Sequence, residues 1–182
     1  YGNLLFALNY HPDMSGEAIF AAYREYDERF CLAQRGKWRA HGNICAANRR
    51  LKVGYVSPDF HQHSCRHFLE PLLAHHDKTV VETYVYAELS REDGVTARYR
   101  GYADHWVTTR GMSDEALLER IRADGIDILV DLAGHTAGNR LSGGNAPDLA
   151  AVFDAHDRAV LGGGENRLAD HCRREYELAC AA

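Results

Sequence analysis

Residues 59 to 67 read "DFHQHSCRH" and place His61, His63, Cys65 and His67 at every second position. Imidazole and thiolate are both proper zinc ligands. On a strand the four would share one face, and on a helix His63 and His67 would meet at i,i+4. The same stretch supports a different chemistry. A loop histidine titrates near neutrality and can take or give a proton, and a nearby carboxylate can orient it. Asp59 and His63 are close enough in sequence to share such a loop. A second polar stretch, "GHTAGNR" (134–140), offers Gly134 and Gly138 for close backbone approach. Its Thr136, Asn139 and Arg140 are donors suited to phosphate or hydroxyl groups. It is neither a Walker A loop nor GxGxxG, and a plain polar turn after a strand would read the same way. Asp124, Asp127 and Asp131 form a looser carboxylate set, with Asp124 at a helix end and Asp131 at a strand end where it could face a site.

These residues are positioned by elements that alternate between two periods. "LKVGYVS" (51–57) is a short β-type run. "SCRHFLEPLLAHH" (64–76) carries Phe68, Leu69, Leu72 and Leu73 on one helical face, with Pro71 expected to kink it or shorten its first part. "VVETYVYA" (80–87) is β-branched and aromatic, "EDGVTARYRGYA" (92–103) is weakly helical, and "HWVTT" (105–109) reads as a short strand. In "SDEALLERIRADG" (113–125), Ser113 caps a helix, Leu117, Leu118 and Ile121 form its stripe, and Gly125 stops it. "IDILVDLAG" (126–134) is the near-continuous apolar run of a strand buried on both faces. Strand, helix, strand in repetition predicts a doubly wound α/β sheet. Such sheets bind ligands outside the carboxyl ends of their strands. The loops "PDFHQHS" and "GHTAGNR" both fall at such ends.

That placement bears on the metal question. The flanking pattern is strand end, loop, then helix, so no single period spans all four alternating residues. No second ligand cluster has familiar spacing, and His75–His76 read as a surface helix end. The expectation is no bound metal, with His61 and Cys65 as bystanders. For Asp59 and His63 two readings stay open: an acid/base pair, or a solvated turn in which Asp59 caps the next helix.

Upstream, residues 1–49 read as helical. Ser15 is an N-cap, Glu17 sits in the first turn, and Ile19, Tyr23, Tyr26 and Phe30 recur at helical spacing. "RGKWRAHGN" (35–43) reads as a linker. Residues 142–182 change texture: they are rich in Ala, Gly, Asp and Arg, a helix fits 166–180, and no strand is expected.

The 182 residues allow one core with an appendage, and 46% hydrophobic with 26% charged residues is the composition of an ordinary soluble domain. A net charge of −5 argues against general nucleic-acid binding. No apolar run approaches the roughly 20 residues that span a bilayer, so no membrane partner is expected. The amino terminus lacks the pattern of a signal peptide. The chain opens at Tyr1 rather than Met and reads as a piece of a longer protein. Cys31, Cys45, Cys65, Cys172 and Cys180 are dispersed, odd in number and without a CxxC, which favours reduced thiols in a cytoplasm.

Taken together, "LLFALNYHPDMSGEAIFAAYREYDERF", "LKVGYVSPDFHQHSCRHFLEPLLAHHD" and "DGIDILVDLAGHTAGNRL" resemble the protein O-GlcNAc transferase family, in its bacterial and SPINDLY-type members, over about residues 1–141. The resemblance implies tetratricopeptide repeats followed by a two-lobed GT-B glycosyltransferase with a Rossmann-like fold in each lobe. It implies residues 1–49 as the helical segment joining repeats to catalytic region, and 50–141 as the amino-terminal catalytic lobe. It implies inverting, metal-independent transfer of GlcNAc from UDP-GlcNAc to Ser or Thr hydroxyls of proteins, or of fucose from GDP-fucose in SPINDLY-type relatives. No cofactor is implied. Asp59 and His63 match the family's D-x-x-x-H active-site positions, and His67 a second histidine of that motif. His63 would lie beside sugar and acceptor, and Asp59 has been discussed as a proton acceptor. His135 matches an active-site aromatic or histidine, and Thr136, Gly138, Asn139 and Arg140 belong to its loop. His11, in "NYHPD", corresponds more loosely to an upstream active-site histidine. After "GNRL" the family continues with "PAPVQ"-like and "GYPGT"-like segments. This chain has "SGGNAPDLAAVFDAHDRAVLGGGENRLADH" instead, read as a divergent, disordered or frameshifted tail lacking the second lobe. The expectation is a lobe with little transferase activity alone. The competing reading is a non-enzymatic Rossmann-like binding or assembly module.

Overall fold

The computed structural model describes residues 1–31, 42–44, 46, 49–134, 140 and 152–154. Two helices come first, α1 (Gly2–Leu8) and α2 (Gly16–Tyr26), the latter running into a π-helical turn at Asp27–Cys31. The Ser15 hydroxyl accepts from the Ala18 N–H at 3.2 Å, so the expected cap forms. Asn9 closes the pair by donating to the Leu5 carbonyl at 3.1 Å and the Tyr23 hydroxyl at 2.8 Å. The expected aromatic stripe meets Tyr1, whose ring packs on Tyr26 and Phe30.

The α/β unit runs β1 (Leu51–Ser57), α3 (Arg66–Ala74), β2 (Val81–Ala87), α4 (Gly94–Tyr102), β3 (His105–Thr108), α5 (Asp114–Asp124), β4 (Ile128–Asp131) and β5 (Val152–Asp154). All strand pairs are parallel, in the order β3-β2-β1-β4-β5. This is the mixed α/β, Rossmann-like lobe expected. Alternation along each strand feeds two cores. Val53, Tyr55, Val85, Ile128 and Val130 pack against Leu69 and Leu73 of α3 and Val95 and Tyr99 of α4. Val56, Tyr84, Tyr86 and Leu129 pack against Leu117 and Ile121 of α5 on the opposite face. Gly54 belongs to this second face: a Cβ there would stand 3.0 Å from both Leu129 Cδ1 and Tyr86 Cε2. Ser113 caps α5 through the Ala116 N–H, and Gly125 ends it in the left-handed region at φ 68°.

Helix α3 continues through Pro71, which lacks the N–H that would bond the carbonyl four residues back. Three expectations need correction. Phe68 is 79% exposed, because it lies about 100° around the helix from the stripe centred on Leu69 and Leu73. His76 is not a surface residue: it is half-buried, with Nε2 2.6 Å from the Tyr55 hydroxyl. Residues beyond 141 do supply a strand, since β5 pairs in parallel with β4. Three residues suffice there because the backbone of β4 offers the ladder. The helix expected at 166–180 lies outside the described residues, as does most of 35–43. Asn43, at the end of that stretch, bonds Asp127 Oδ1 at 2.7 Å.

Candidate active site

Strand order reverses between β1 and β4, which lie side by side and whose connections leave in opposite directions. The crevice at such a switch point is where parallel sheets bind ligands. Both loops singled out in the sequence leave the sheet here, one after Ser57 and one after Asp131.

The first loop is built by short-range bonds and then held from outside. The Ser57 hydroxyl accepts from the Asp59 N–H at 3.0 Å, and the Asp59 carbonyl accepts from the His61 N–H at 2.8 Å. Phe60 is fully buried and edge-on to the rings of Tyr99 and Trp106, which fixes the loop to the core. The amino end of α4 then grips it twice. Thr96 donates its hydroxyl to the Phe60 carbonyl at 2.8 Å, and Asp93 Oδ2 accepts from the Gln62 N–H at 2.8 Å. Asp93 and Thr96 also form the capping box of α4. These backbone bonds hold the Asp93 carboxyl below the usual carboxylate range. Sequence reading missed both residues, although Asp followed three positions later by Thr before a helical run is the available signal.

Held this way, Asp59 turns its two oxygens toward two histidines: Oδ1 is 3.9 Å from His61 Nε2 and Oδ2 is 3.7 Å from His63 Nδ1. The Asp59–His63 pairing therefore exists, and the capping alternative does not, since α3 begins after Cys65 without a side-chain cap. Cys65, expected to be a bystander, lies beside the pair. Its thiol, the His63 imidazole and an Asp59 oxygen lie within 4.8 Å of one another. Burial, with the Asp59 charge, pushes the Cys65 thiol up, so it is held as a thiol.

His67 does not join this group. It is exposed and lines a groove of about 380 Å³ with Arg66, Glu70, Pro71, Ala74, His75 and Tyr102. His11 is exposed in the turn between α1 and α2, its Nδ1 accepting from the Asp13 N–H at 3.3 Å. Among the described residues no hydrogen bond or ion pair joins it to Asp59 or His63. In the second loop, Asp131 is buried and accepts from the Ala133 and Gly134 N–H groups at 3.0 and 3.1 Å. These two bonds shape the turn after β4. His135, Thr136, Gly138 and Asn139 lie outside the described residues. Arg140 is described, and its guanidinium is engaged within the protein. It donates to the Met112 carbonyl at 2.6 Å and pairs with Asp114 at 3.4 Å and Glu88 at 3.9 Å. It anchors the loop to the β3–α5 turn.

Asp124 and Asp127 belong to the other end of the sheet. Asp124 accepts from Tyr86 and Arg120 at the end of α5. Asp127 is buried at the amino end of β4, where Arg49 grips it at 2.5 and 2.6 Å.

The sequence profile of glycosyl transferase family 41 matches residues 26–142, more than half of the chain. The chain belongs to glycosyl transferase family 41. Within this family it is similar to the probable UDP-N-acetylglucosamine–peptide N-acetylglucosaminyltransferase SPINDLY of Hordeum vulgare, 37% identical over 145 residues, covering 76% of this chain and 15% of the barley protein. The Arabidopsis thaliana SPINDLY is 34% identical over 143 residues, covering 76% of this chain and 16% of the relative. A solved structure of a mutant O-GlcNAc transferase from Thermobaculum terrenum superposes with a TM-score of 0.73 at 30% identity, over 84% of this chain and 29% of that one. The chain thus spans about 15% of the length of the curated family 41 relatives it matches. The family match takes in both loops at the switch point and every strand from β1 to β4.

Proposed function

We propose that residues 50–141 supply one wall of a sugar-transfer site, at which GlcNAc passes from UDP-GlcNAc to a Ser or Thr hydroxyl of a protein. The observation that carries this reading is the pairing of Asp59 with His63 at the switch point of the sheet. The names of the barley and bacterial relatives support the substrate class.

In this reading the acceptor hydroxyl lies against the Asp59–His63 pair. Its oxygen attacks the anomeric carbon from the face opposite the nucleotide. The carbon–phosphate oxygen bond breaks, its electron pair leaves with UDP, and the configuration inverts. The hydroxyl proton passes to the pair, where Asp59 stands beside any charge the imidazole takes up. General-base help of this kind contributes about 10²- to 10⁴-fold. No metal enters the step; charge on the departing diphosphate is met by hydrogen-bond donors. Gly134, which opens the second polar stretch, follows the carboxyl end of β4. Arg140, being tied to Glu88, Asp114 and the Met112 carbonyl, anchors that loop instead of binding phosphate. The pair opens to solvent, with His63 39% exposed. Transfer therefore needs a second wall to exclude water, and the chain by itself turns over slowly. Its dispersed cysteines fit a reducing, cytoplasmic setting.

The test is a lobe exchange. Residues 50–141 replace the matching lobe of the Thermobaculum terrenum enzyme, and transfer to an acceptor peptide is followed by mass spectrometry with UDP-GlcNAc and with GDP-fucose. The expected result is transfer from UDP-GlcNAc that His63→Ala lowers by about 100-fold or more. An unaltered rate in His63→Ala refutes the assignment of the pair, and preference for GDP-fucose refutes the donor.

A further inference from the structure

The lone pairs around Asp59 converge in a way that proton transfer alone does not require. His61 Nδ1 lies 3.2 Å from the Gln62 carbonyl. His61 Nε2 lies 3.9 Å from Asp59 Oδ1. His63 Nδ1 accepts from the Cys65 N–H at 3.4 Å and faces Asp59 Oδ2 at 3.7 Å. The Cys65 sulfur completes the group, with the thiol, the carboxylate and the His63 ring within 4.8 Å of one another. A carboxylate, an imidazole and a thiol this close together are a donor set that can hold a cation.

The donor set narrows the cation. Carboxylate, imidazole and thiol suit zinc and its thiophilic neighbours, whereas magnesium and calcium prefer oxygen. Tetrahedral zinc holds its donors at about 2.0 to 2.3 Å, which puts neighbouring donor atoms about 3.3 to 3.8 Å apart. The Asp59–His63 separation of 3.7 Å already lies in that range.

We propose that Asp59, His63 and Cys65 form a binding site for a zinc-class divalent cation. On binding, the S–H bond of Cys65 breaks, a sulfur–metal bond forms, and the proton goes to the buffer; nothing is oxidised or reduced. An ion held there occupies the two side chains that the transfer reading needs, so metal binding and transfer are competing uses of one loop. The proposal rests on that reading only for this consequence, and its test does not involve transfer.

The full chain, prepared without a histidine tag, is titrated with Zn²⁺ by calorimetry in two buffers of different ionisation enthalpy, and with Co²⁺ by absorption spectroscopy. Circular dichroism checks that each variant is folded. One ion per chain, about one proton released, and a sulfur-to-cobalt charge-transfer band are expected. Cys65→Ser should remove the band, and both Cys65→Ser and His63→Ala should weaken Zn²⁺ binding by about 10-fold or more. His75→Ala, outside the loop, should bind as wild type. The proposal is overturned by an absence of saturable uptake at micromolar metal, or by equal uptake in wild type and Cys65→Ser.

Discussion

His76 shows how one side chain couples the lobe to pH. It sits just past α3, half-buried, with Nε2 2.6 Å from the hydroxyl of Tyr55 in the central strand. Burial, helped by the Lys78 charge, lowers its imidazole to about 4. A free histidine titrates near 6.5. Between those values the unfolded chain binds a proton that the folded chain refuses. The His76 contribution is therefore fully present above about pH 6.5 and is lost as pH falls toward 4. Urea unfolding between pH 7 and pH 4 should show a loss of about 2–3 kcal/mol that His76→Gln lacks. Parallel curves for the two proteins would contradict the assignment.

At the scale of elements, α4 matters more to the site than its weak amphipathic pattern implies. Its amino end spends Asp93 and Thr96 on two backbone groups of the Asp59–His63 loop. Replacing Asp93 with Ala frees the Gln62 N–H while leaving the Thr96 bond to Phe60. Hydrogen exchange should then quicken at Gln62 far more than in β1, and transfer by the exchanged-lobe enzyme should fall by about 10-fold or more through misplacement of His63. Asp93→Asn, which keeps an acceptor oxygen, should recover most of both losses. Unchanged protection at Gln62 in Asp93→Ala would show that the loop holds itself. The same reasoning explains why Phe60 is buried so close to a solvent-facing loop: its ring anchors the chain between the two bonds that α4 supplies.

Across the whole molecule the sheet has a functional end and a bracing end. Asp127 dominates the second. It accepts from Arg49 and Asn43 before the sheet and from the Lys52 N–H of β1, which joins segments 75 to 84 residues apart in sequence. Burial would push its carboxyl up, but hydrogen bonds from Arg49, Lys52 and Asn43, with the Arg49 charge, hold it below the usual range. Its contribution is therefore present above the ordinary carboxylate range and is lost as pH falls through its lowered value. Asp127→Ala should cost about 3 kcal/mol near neutrality, and its stability should fall less steeply than that of wild type below about pH 4. A denaturation series covering both ranges separates this loss from that of His76, which comes at higher pH.

The sequence by itself determined the elements, because their signals are local. Caps at Ser15 and Ser113, the stop at Gly125 and the apolar run from Ile128 each act within a few residues. It also determined that two polar loops end parallel strands, and hence where a site should lie. What surrounds Asp59 was decided only by tertiary structure. The grip of Asp93 and Thr96 crosses about 30 residues of sequence, and no periodicity records it. The two-residue alternation of "DFHQHSCRH" has no geometric meaning, as its flanks imply: a turn, not a strand, brings His61, His63 and Cys65 toward Asp59, while His67 has already entered α3 and is exposed. Only the fold shows that Arg140 pairs with Glu88 and Asp114. Strand β5 needed the exposed ladder of β4 to form at all, since three residues carry too little pattern to announce a strand.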